Sequence, residues 1–406
     1  MANEQPYDVV LYGATGFVGR QTVHYFANSP AVKTRGLRWA LAGRSRAKLE
    51  QARLNCPGAA DAGVVVAASD DSVALDALAK STRVVLSTTG PFALYGSALV
   101  AACVQNGTHY VDITGETPWV AALIDQHHLQ AIKNGTRIIP FCGFDSVPSD
   151  LGVWLATQTM QQHYGVPCVD VTAAFSLRGG VNGGTLASLF NIMDSDQARL
   201  MADPFLLNPD AARQDLTALD RDPVAPRFDA HFNAWLGPFF MSVINTRVVR
   251  RSAVLLDYGA DFHYQEYLRL GRGLMAAAAA TSLSVGMGLS KAAMGFSKIR
   301  HMAAKLAPGP GEGPSEASMN GGSFRCELIG KSAGGQVVKG RIEDHGDPGN
   351  RGTTKMVCEA ALCLTLDAGS LPGGLGYGGV LTPASGLGSV LVNRLRGAGM
   401  TLVMDV

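Results

Sequence analysis

Residues Asp8 to Gly19 read Asp-Val-Val-Leu-Tyr-Gly-Ala-Thr-Gly-Phe-Val-Gly, and this stretch decides the fold. Val9 to Tyr12 is a short apolar run of the kind that makes a buried strand. Three glycines follow at Gly13, Gly16 and Gly19, and a helical pattern begins among them. A strand, a glycine turn and a helix N-terminus together form an anion site, because free N–H groups and the positive end of the helix dipole converge there. Gly13 suits the tight turn, Gly16 lets the backbone approach a pyrophosphate, and Gly19 lets helix pack on strand. The spacing is G-x-x-G-x-x-G rather than G-x-G-x-x-G, so the strand-then-helix context carries the reading. Gly13, Ala14, Thr15, Gly16, Phe17, Val18 and Gly19 are the predicted dinucleotide loop.

The next apolar run, Leu37 to Ala42, ends in Gly43-Arg44-Ser45. An NAD site usually places an acidic residue here for the ribose 2′-hydroxyl, whereas an arginine accommodates the 2′-phosphate of NADP. Arg44 offers a planar fork for phosphate, Ser45 a hydroxyl and Lys48 a further charge. A solvated basic loop is the alternative.

Outward from these two strands, β-like and α-like runs alternate to about residue 145. Gly63 to Ala68, Arg83 to Thr88, His109 to Ile113 and Arg137 to Phe141 read as strands; Ser72 to Lys80 and Gly96 to Asn106 read as helices, the second closed by Gly107. Repeated β-α units predict an α/β fold with a doubly wound parallel sheet. Ligands bind such sheets outside the carboxyl ends of the strands. Three loops therefore open onto the cofactor crevice. Thr88, Thr89, Gly90 and Pro91, leading to Tyr95, would line the ribose and nicotinamide. Tyr110 to Glu116 supplies two carboxylates, Asp112 and Glu116, fit for proton relay or for helix capping. Gly143 to Asp150 supplies Asp145 and Ser146, with Pro148 and Ser149 favouring a helix start. Tyr95, Asp112, Glu116, Asp145 and Ser146 are the catalytic candidates by position.

Beyond Tyr164 the pattern changes. Val169 to Leu177 and Phe262 to Leu270 read as strands, Thr185 to Met201 and Phe239 to Leu256 as helices, and Pro204 to Pro238 as an irregular excursion. Ser323 to Lys331 and Gln336 to Glu343 flank Gly334-Gly335 as a hairpin. Thr353 to Leu366 is helical. The predicted organisation is residues 1–150 as an NADP-binding Rossmann domain, 151–350 as a mixed α/β substrate domain, and 351–406 as a C-terminal segment returning to the first.

The chain of 406 residues is 47% hydrophobic and 17% charged, with net charge +1, which gives no electrostatic reason to expect nucleic acid. Seven cysteines include no C-x-x-C, so neither a disulfide framework nor a metal knuckle is expected. A reducing cytoplasmic setting fits. Gly273 to Ser290 has 18 residues without charge, near the lower limit of about 17–25 for a spanning helix. Alanines, glycines and hydroxyls favour a buried or interface helix, with contact at a membrane surface as the alternative.

The motifs GATGFVG (Gly13–Gly19), AGRS (Ala42–Ser45), TTGPF (Thr88–Phe92), YVDITGE (Tyr110–Glu116), GFDSVPSDLG (Gly143–Gly152), INTRVVRRS (Ile244–Ser252) and GGVLTPAS (Gly378–Ser385) resemble the saccharopine dehydrogenase-like oxidoreductases, most closely the bacterial trans-acting enoyl reductases. The resemblance implies a nicotinamide cofactor, here NADP. It also implies enoyl reduction of a lipid or polyketide-type thioester, in trans to a polyketide synthase that lacks its own reductase. An apolar or carrier-linked substrate is then expected, with homodimerisation and membrane-surface contact left open. Two rivals stand beside it. A saccharopine-type imine oxidoreductase needs cationic anchors, for which Arg247, Arg250 and Arg251 are available unless they form a solvated basic face. A nucleotide-binding protein without catalysis is the other. The short-chain dehydrogenases are set aside, since no tyrosine here has a lysine four residues later.

Overall fold

The computed structural model describes residues 5–179, 196–212, 217–294, 296 and 312–406. The apolar run after Gln5 forms β1 (Tyr7–Tyr12), and α1 (Phe17–Asn28) follows the glycine turn. The alternation continues as β2 (Trp39–Gly43), α2 (Arg46–Leu54), β3 (Gly63–Val66), α3 (Ser72–Lys80), β4 (Thr82–Ser87), α4 (Ser97–Asn106), β5 (His109–Asp112), α5 (Thr117–Lys133), β6 (Arg137–Ile139) and α6 (Val147–Tyr164). α4 stops at Gly107, which adopts the left-handed φ of 68° expected of a glycine C-cap.

A first sheet has the order β13-β6-β5-β4-β1-β2-β3, where β13 is Gly379–Val380, and every pairing in it is parallel. Chain order 3-2-1-4-5-6 is the doubly wound arrangement, and it puts the ends of β1 and β4 side by side. Both faces are covered, so β1 is apolar at successive positions. Val9 and Leu11 enter the core on one face and Val10 and Tyr12 that on the other.

The second sheet is mixed. It contains β7 (Asp170–Arg178), β8 (Arg227–Asp229), β9 (Ala234–Pro238), β10 (His263–Gly271), β11 (Ser323–Lys331), β12 (Val337–His345) and β14 (Thr401–Asp405), in the order β14-β12-β11-β7-β10-β9-β8. Only β7 and β10 pair in parallel. α7 (Ser242–Leu255), α8 (Gly273–Met294), α9 (Thr353–Leu366) and α10 (Pro383–Gly397) complete the longer helices described. β11 and β12 are the predicted hairpin, and α9 has the predicted limits. The excursion before Pro238 is less irregular than its prolines suggest, because β8, an edge strand, and β9, its neighbour, lie within it. The expected helix Thr185 to Met201 falls mostly outside the described residues. Its end, Asp196–Ala202, is 3-10 helix.

The C-terminal segment serves both layers. Met356, Val357, Ala360, Ala361 and Leu364 of α9 join the core beneath Val9, Leu11, Val84, Leu86 and Val111. The Arg137 guanidinium donates to the carbonyls of Gly386, Pro372 and Gly374 at 2.7 Å each. β13 extends the first sheet, and then β14 leaves it to pair with β12. The return is therefore shared with the second sheet rather than confined to the first domain.

Candidate active site

The glycine loop is shaped by close approach. Gly13 has φ of 88°, its N–H donates to Ala42 O at 2.9 Å, and a Cβ on it would strike the Thr89 hydroxyl. Gly19 faces the Gly13 carbonyl oxygen so closely that no Cβ fits. Gly16 is the N-cap of α1, and no side chain caps that end. The first-turn N–H groups of α1, starting at Phe17 and Val18, are thus free for an anion. Ala14 is buried against the strand ends, and the Thr15 carbonyl accepts from Arg20 at 3.0 Å. The Phe17 ring lies against Gly313. The buried Thr89 hydroxyl has no hydrogen-bond partner among the described residues, and Thr88 Oγ1 lies 3.4 Å from the carbonyls of Tyr12 and Gly13. A cradle of N–H donors with an orphaned hydroxyl at its wall fits a dinucleotide pyrophosphate.

The basic residues beyond β2 divide their work. Arg44 is exposed at the strand end. Ser45 is already the N-cap of α2, its hydroxyl accepting from Lys48 N at 3.5 Å, so it contributes by starting the helix. Lys48 is exposed on the first turn. Arg44 is therefore the group best placed for a 2′-phosphate.

The β4 and β5 loops are tied together by Glu116. Its two carboxylate oxygens accept from Phe92 N at 2.7 Å and Ala93 N at 2.9 Å, just after the cis Gly90–Pro91 peptide. A carboxylate committed this way braces the loop, so capping, not proton relay, is the role the geometry gives Glu116. Asp112 is similar. Its Oδ1 accepts from Thr114 N at 3.0 Å and from Phe141 N at 3.3 Å, and its own carbonyl accepts from Cys142 N at 2.8 Å. Burial pushes Asp112 up to about 7, against the pull of these donors. These bonds hold Phe141 at φ of 65°, an outlier for a bulky residue and a sign of a constrained site. Tyr95 ends the short helix Phe92–Tyr95 and is 41% exposed, so its hydroxyl is not held in the interior.

Asp145 differs from the other acids. It lies on the β6 loop, half-buried, with Oδ2 beside Gly115 of the β5 loop, and Ile244 of α7 closes against the same glycine. No hydrogen bond to it is found among the described residues, and burial alone pushes its pKa up to about 7. It is a carboxyl poised between acid and base where the β5 and β6 loops meet α7. Neighbouring Ser146 stands at the N-cap position of α6 without capping it and turns inward, its hydroxyl donating to Asn245 Oδ1 at 3.4 Å.

Behind Ser146 runs a polar network that sequence reasoning missed. Asn245 Nδ2 donates to Glu266 Oε1 at 2.8 Å. Ser149 Oγ and the Tyr264 hydroxyl donate to Glu266 Oε2 at 2.8 and 2.7 Å. Burial pushes Glu266 up to about 7 despite these donors. Asp150 takes Ser252 Oγ at 2.5 Å and Ala384 N at 2.7 Å, joining α6, α7 and α10. Glu266 stands alone in its segment and no motif marks it, and Asn245 lies within INTRVVRRS, where the arginines alone were given a role; Ser149 and Asp150 lie within GFDSVPSD and were legible.

The three arginines of α7 are neither anchors at the cleft nor a solvated face. All are buried. Arg247 binds Asp222 at 2.5 Å and the Met201 and Asp203 carbonyls; Arg250 binds the Pro204 and Asp220 carbonyls; Arg251 binds the Leu207 and Val380 carbonyls. They hold residues 201–207 and 220–222 against the helix.

Comparisons with known proteins agree with this geometry. Residues 9–139 match the saccharopine dehydrogenase NADP binding domain. The trans-acting enoyl reductase of Mycobacterium bovis is 36% identical over 422 residues, covering 98% of this chain and 98% of its own. That of Mycobacterium leprae shows the same identity and coverage. Saccharopine dehydrogenase (L-Glu forming) from Saccharomyces cerevisiae has the same overall fold, with a TM-score of 0.54 at 11% identity over 98% of this chain and 99% of its own.

Proposed function

The chain belongs to the trans-acting enoyl reductase family of saccharopine dehydrogenase-like proteins, and from that premise we propose that it reduces the C=C bond of a lipid or polyketide-type enoyl thioester with NADPH. One observation carries the chemical assignment. A half-buried carboxyl with a pKa of about 7, Asp145, sits among the loops that follow the dinucleotide strands.

Bound NADPH supplies the hydride for the β-carbon. The chain's part is to hold the two reactants and to manage one proton. The α1 N-terminus takes the pyrophosphate, Arg44 the 2′-phosphate, and the Thr88 to Pro91 loop, braced by Glu116, lines the ribose side. Protonated Asp145 gives its proton to the α-carbon as the double bond is lost, and is reprotonated from water. Ser146, Asn245 and Glu266 position the loop that carries it. A saccharopine-type reaction is disfavoured because the arginines it would need are spent on backbone carbonyls.

A reductase that acts in trans meets its substrate on another protein. We take that partner to be a polyketide synthase without its own reductase, working in the cytoplasm. The test follows NADPH absorbance with enoyl thioesters of increasing acyl length and with imino acids. Oxidation with an enoyl thioester, reduced about 10²–10⁴-fold in Asp145→Asn, is expected. Turnover of imino acids alone, or of neither class, overturns the assignment.

A further inference from the structure

The uncharged stretch of α8 is not the buried helix expected, since only 11% of Gly273–Ser290 is buried. A surface with the chemistry of a binding site lies instead along α1. Gln21, Tyr25 and Asn28 recur there at helical spacing and form one wall of an open cleft of about 490 Å³. Arg351, Thr354 and Lys355, at and just before the start of α9, form the opposite wall. The volume is that of a small-molecule site.

Two of the lining side chains are buried and unsatisfied. Gln21 is 9% exposed and Thr354 5%. Arg351 Nη1 donates to Gln21 Oε1 at 2.9 Å. A guanidinium accepts nothing, so this bond fixes which end of the amide is the oxygen. It leaves Gln21 Nε2, a donor, with no partner among the described residues. The Thr354 hydroxyl is orphaned in the same way, although a helical threonine can bond the carbonyl one turn back. Buried donors left unmade are costly, so two on one cleft call for an acceptor.

The rest of the lining says which acceptor. Among the described residues of the cleft there is no Asp or Glu, and Arg351, Lys355, His24 and His345 all belong to it. Arg351 pairs with Glu316 and donates to Asn320 Oδ1 at 3.1 Å; Lys355 donates to Asp344 Oδ1 at 2.9 Å. Those carboxylates fix the two cations in place and temper their charge. Each cation still has N–H groups beyond these bonds, because a guanidinium carries five and an ammonium three. A cleft that offers donors and no carboxylate selects an oxyanion. The cofactor's pyrophosphate is not that anion. At about 1.5 Å per residue, Gln21 lies about 6 Å and Asn28 about 16 Å along the axis from Phe17, where the cradle begins.

We propose that this cleft binds the phosphate group of a small phosphorylated molecule. Gln21 Nε2, the Thr354 hydroxyl, Arg351 and Lys355 hold the phosphate, and the remaining volume takes the rest of the molecule. The site is separate from the cofactor cradle. It goes beyond the proposed reaction, and its test needs no turnover.

The test is calorimetric titration of the NADPH-saturated full-length protein with inorganic phosphate and with glycerol 3-phosphate, in chloride of matched ionic strength. Saturable binding of both is expected, the ester at least as tight. Gln21→Glu keeps the acceptor for Arg351 but replaces the donor by a negative charge. Its urea midpoint should hold while phosphate affinity falls at least about tenfold. Thr354→Val, the second variant, removes an orphaned hydroxyl, so the fold should be as stable or more so while phosphate binds about tenfold more weakly. No binding above the chloride blank overturns the proposal. So does binding seen only without NADPH, which puts the phosphate in the cofactor cradle. Wild-type phosphate affinity in the folded variants overturns it too, as does binding of inorganic phosphate with the ester excluded.

Discussion

Two side chains carry the proposed chemistry, and each makes a prediction. Arg44 is exposed at the end of β2, where its fork would meet a 2′-phosphate. Loss of a charge-assisted bond costs about 1.5–3 kcal/mol, so NADPH should bind at least about tenfold tighter than NADH, and Arg44→Ala should erase most of that difference. Fluorescence titration with both cofactors measures it; equal affinities in the wild type refute it. Asp145 predicts a pH profile. In the proposed reaction its protonated form is the donor, and burial pushes its pKa up to about 7, so kcat should fall as pH rises through 7. Asp145→Asn should be slow throughout and lack that limb. Stability carries the same sign. Between the ordinary carboxyl range and 7, folded Asp145 keeps a proton that the unfolded chain has lost, so its contribution falls as pH rises. Asp112, Asp150 and Glu266, also pushed up to about 7 by burial, share this sign. Urea midpoints across this window should drift less with pH in Asp145→Asn.

At the scale of elements, similar sequence signals hide different physical roles. Gly16 and Gly19 read as one motif, yet a Cβ on Gly16 would lie 3.3 Å from Gly13 O, while on Gly19 it would collide with that backbone oxygen. Gly16→Val should therefore leave a folded protein that no longer binds NADPH, its side chain occupying the pyrophosphate position. Gly19→Ala should lower stability, by about 1–3 kcal/mol, through overpacking. Urea melts and cofactor titration of both variants separate the two cases. The arginines of α7 show where reading a sequence fails. Their spacing was visible, but their partners lie some 20 to 50 residues away along an excursion that has no periodicity of its own. Arg247→Ala leaves two carbonyls without their donor and Asp222 with Thr246 Oγ1 as its remaining partner, and since a fully buried broken pair costs about 3–5 kcal/mol, this partly exposed one should cost less, read as a lower urea midpoint. The glycine loop, the α4 cap, the β11–β12 hairpin and α9 were legible because each is specified by residues adjacent in sequence. β8, β9 and β14 were not. Strands of three to five residues at or next to a sheet edge acquire their identity from the neighbours they pair with. Asn245 and Glu266 became site residues only when folding brought α7 and β10 behind Ser146.

For the whole molecule, the first 150 residues look self-sufficient in sequence and are not so in packing. The face of the first sheet that carries Val9, Leu11, Val84, Leu86 and Val111 is covered by α9 and by residues of α10. The same contiguous core includes Val171, Ala173 and Phe175 of β7 and Leu328 and Ile342 of the hairpin. Two sheets that share one core should unfold together, so fluorescence of the four tryptophans, among them Trp39 on β2 and Trp235 on β9, and far-UV circular dichroism should give coincident urea transitions. Residues 1–150 alone would expose that apolar face and strand the Arg137 guanidinium, whose three carbonyl partners lie at Pro372, Gly374 and Gly386. A fragment of residues 1–350 has the same defect, although it retains every residue of the dinucleotide loop. Both fragments should therefore lack a cooperative transition and bind NADPH poorly. A fragment of residues 1–150 that unfolds cooperatively and binds NADPH as the full chain does would show that the C-terminal return is dispensable to the cofactor site.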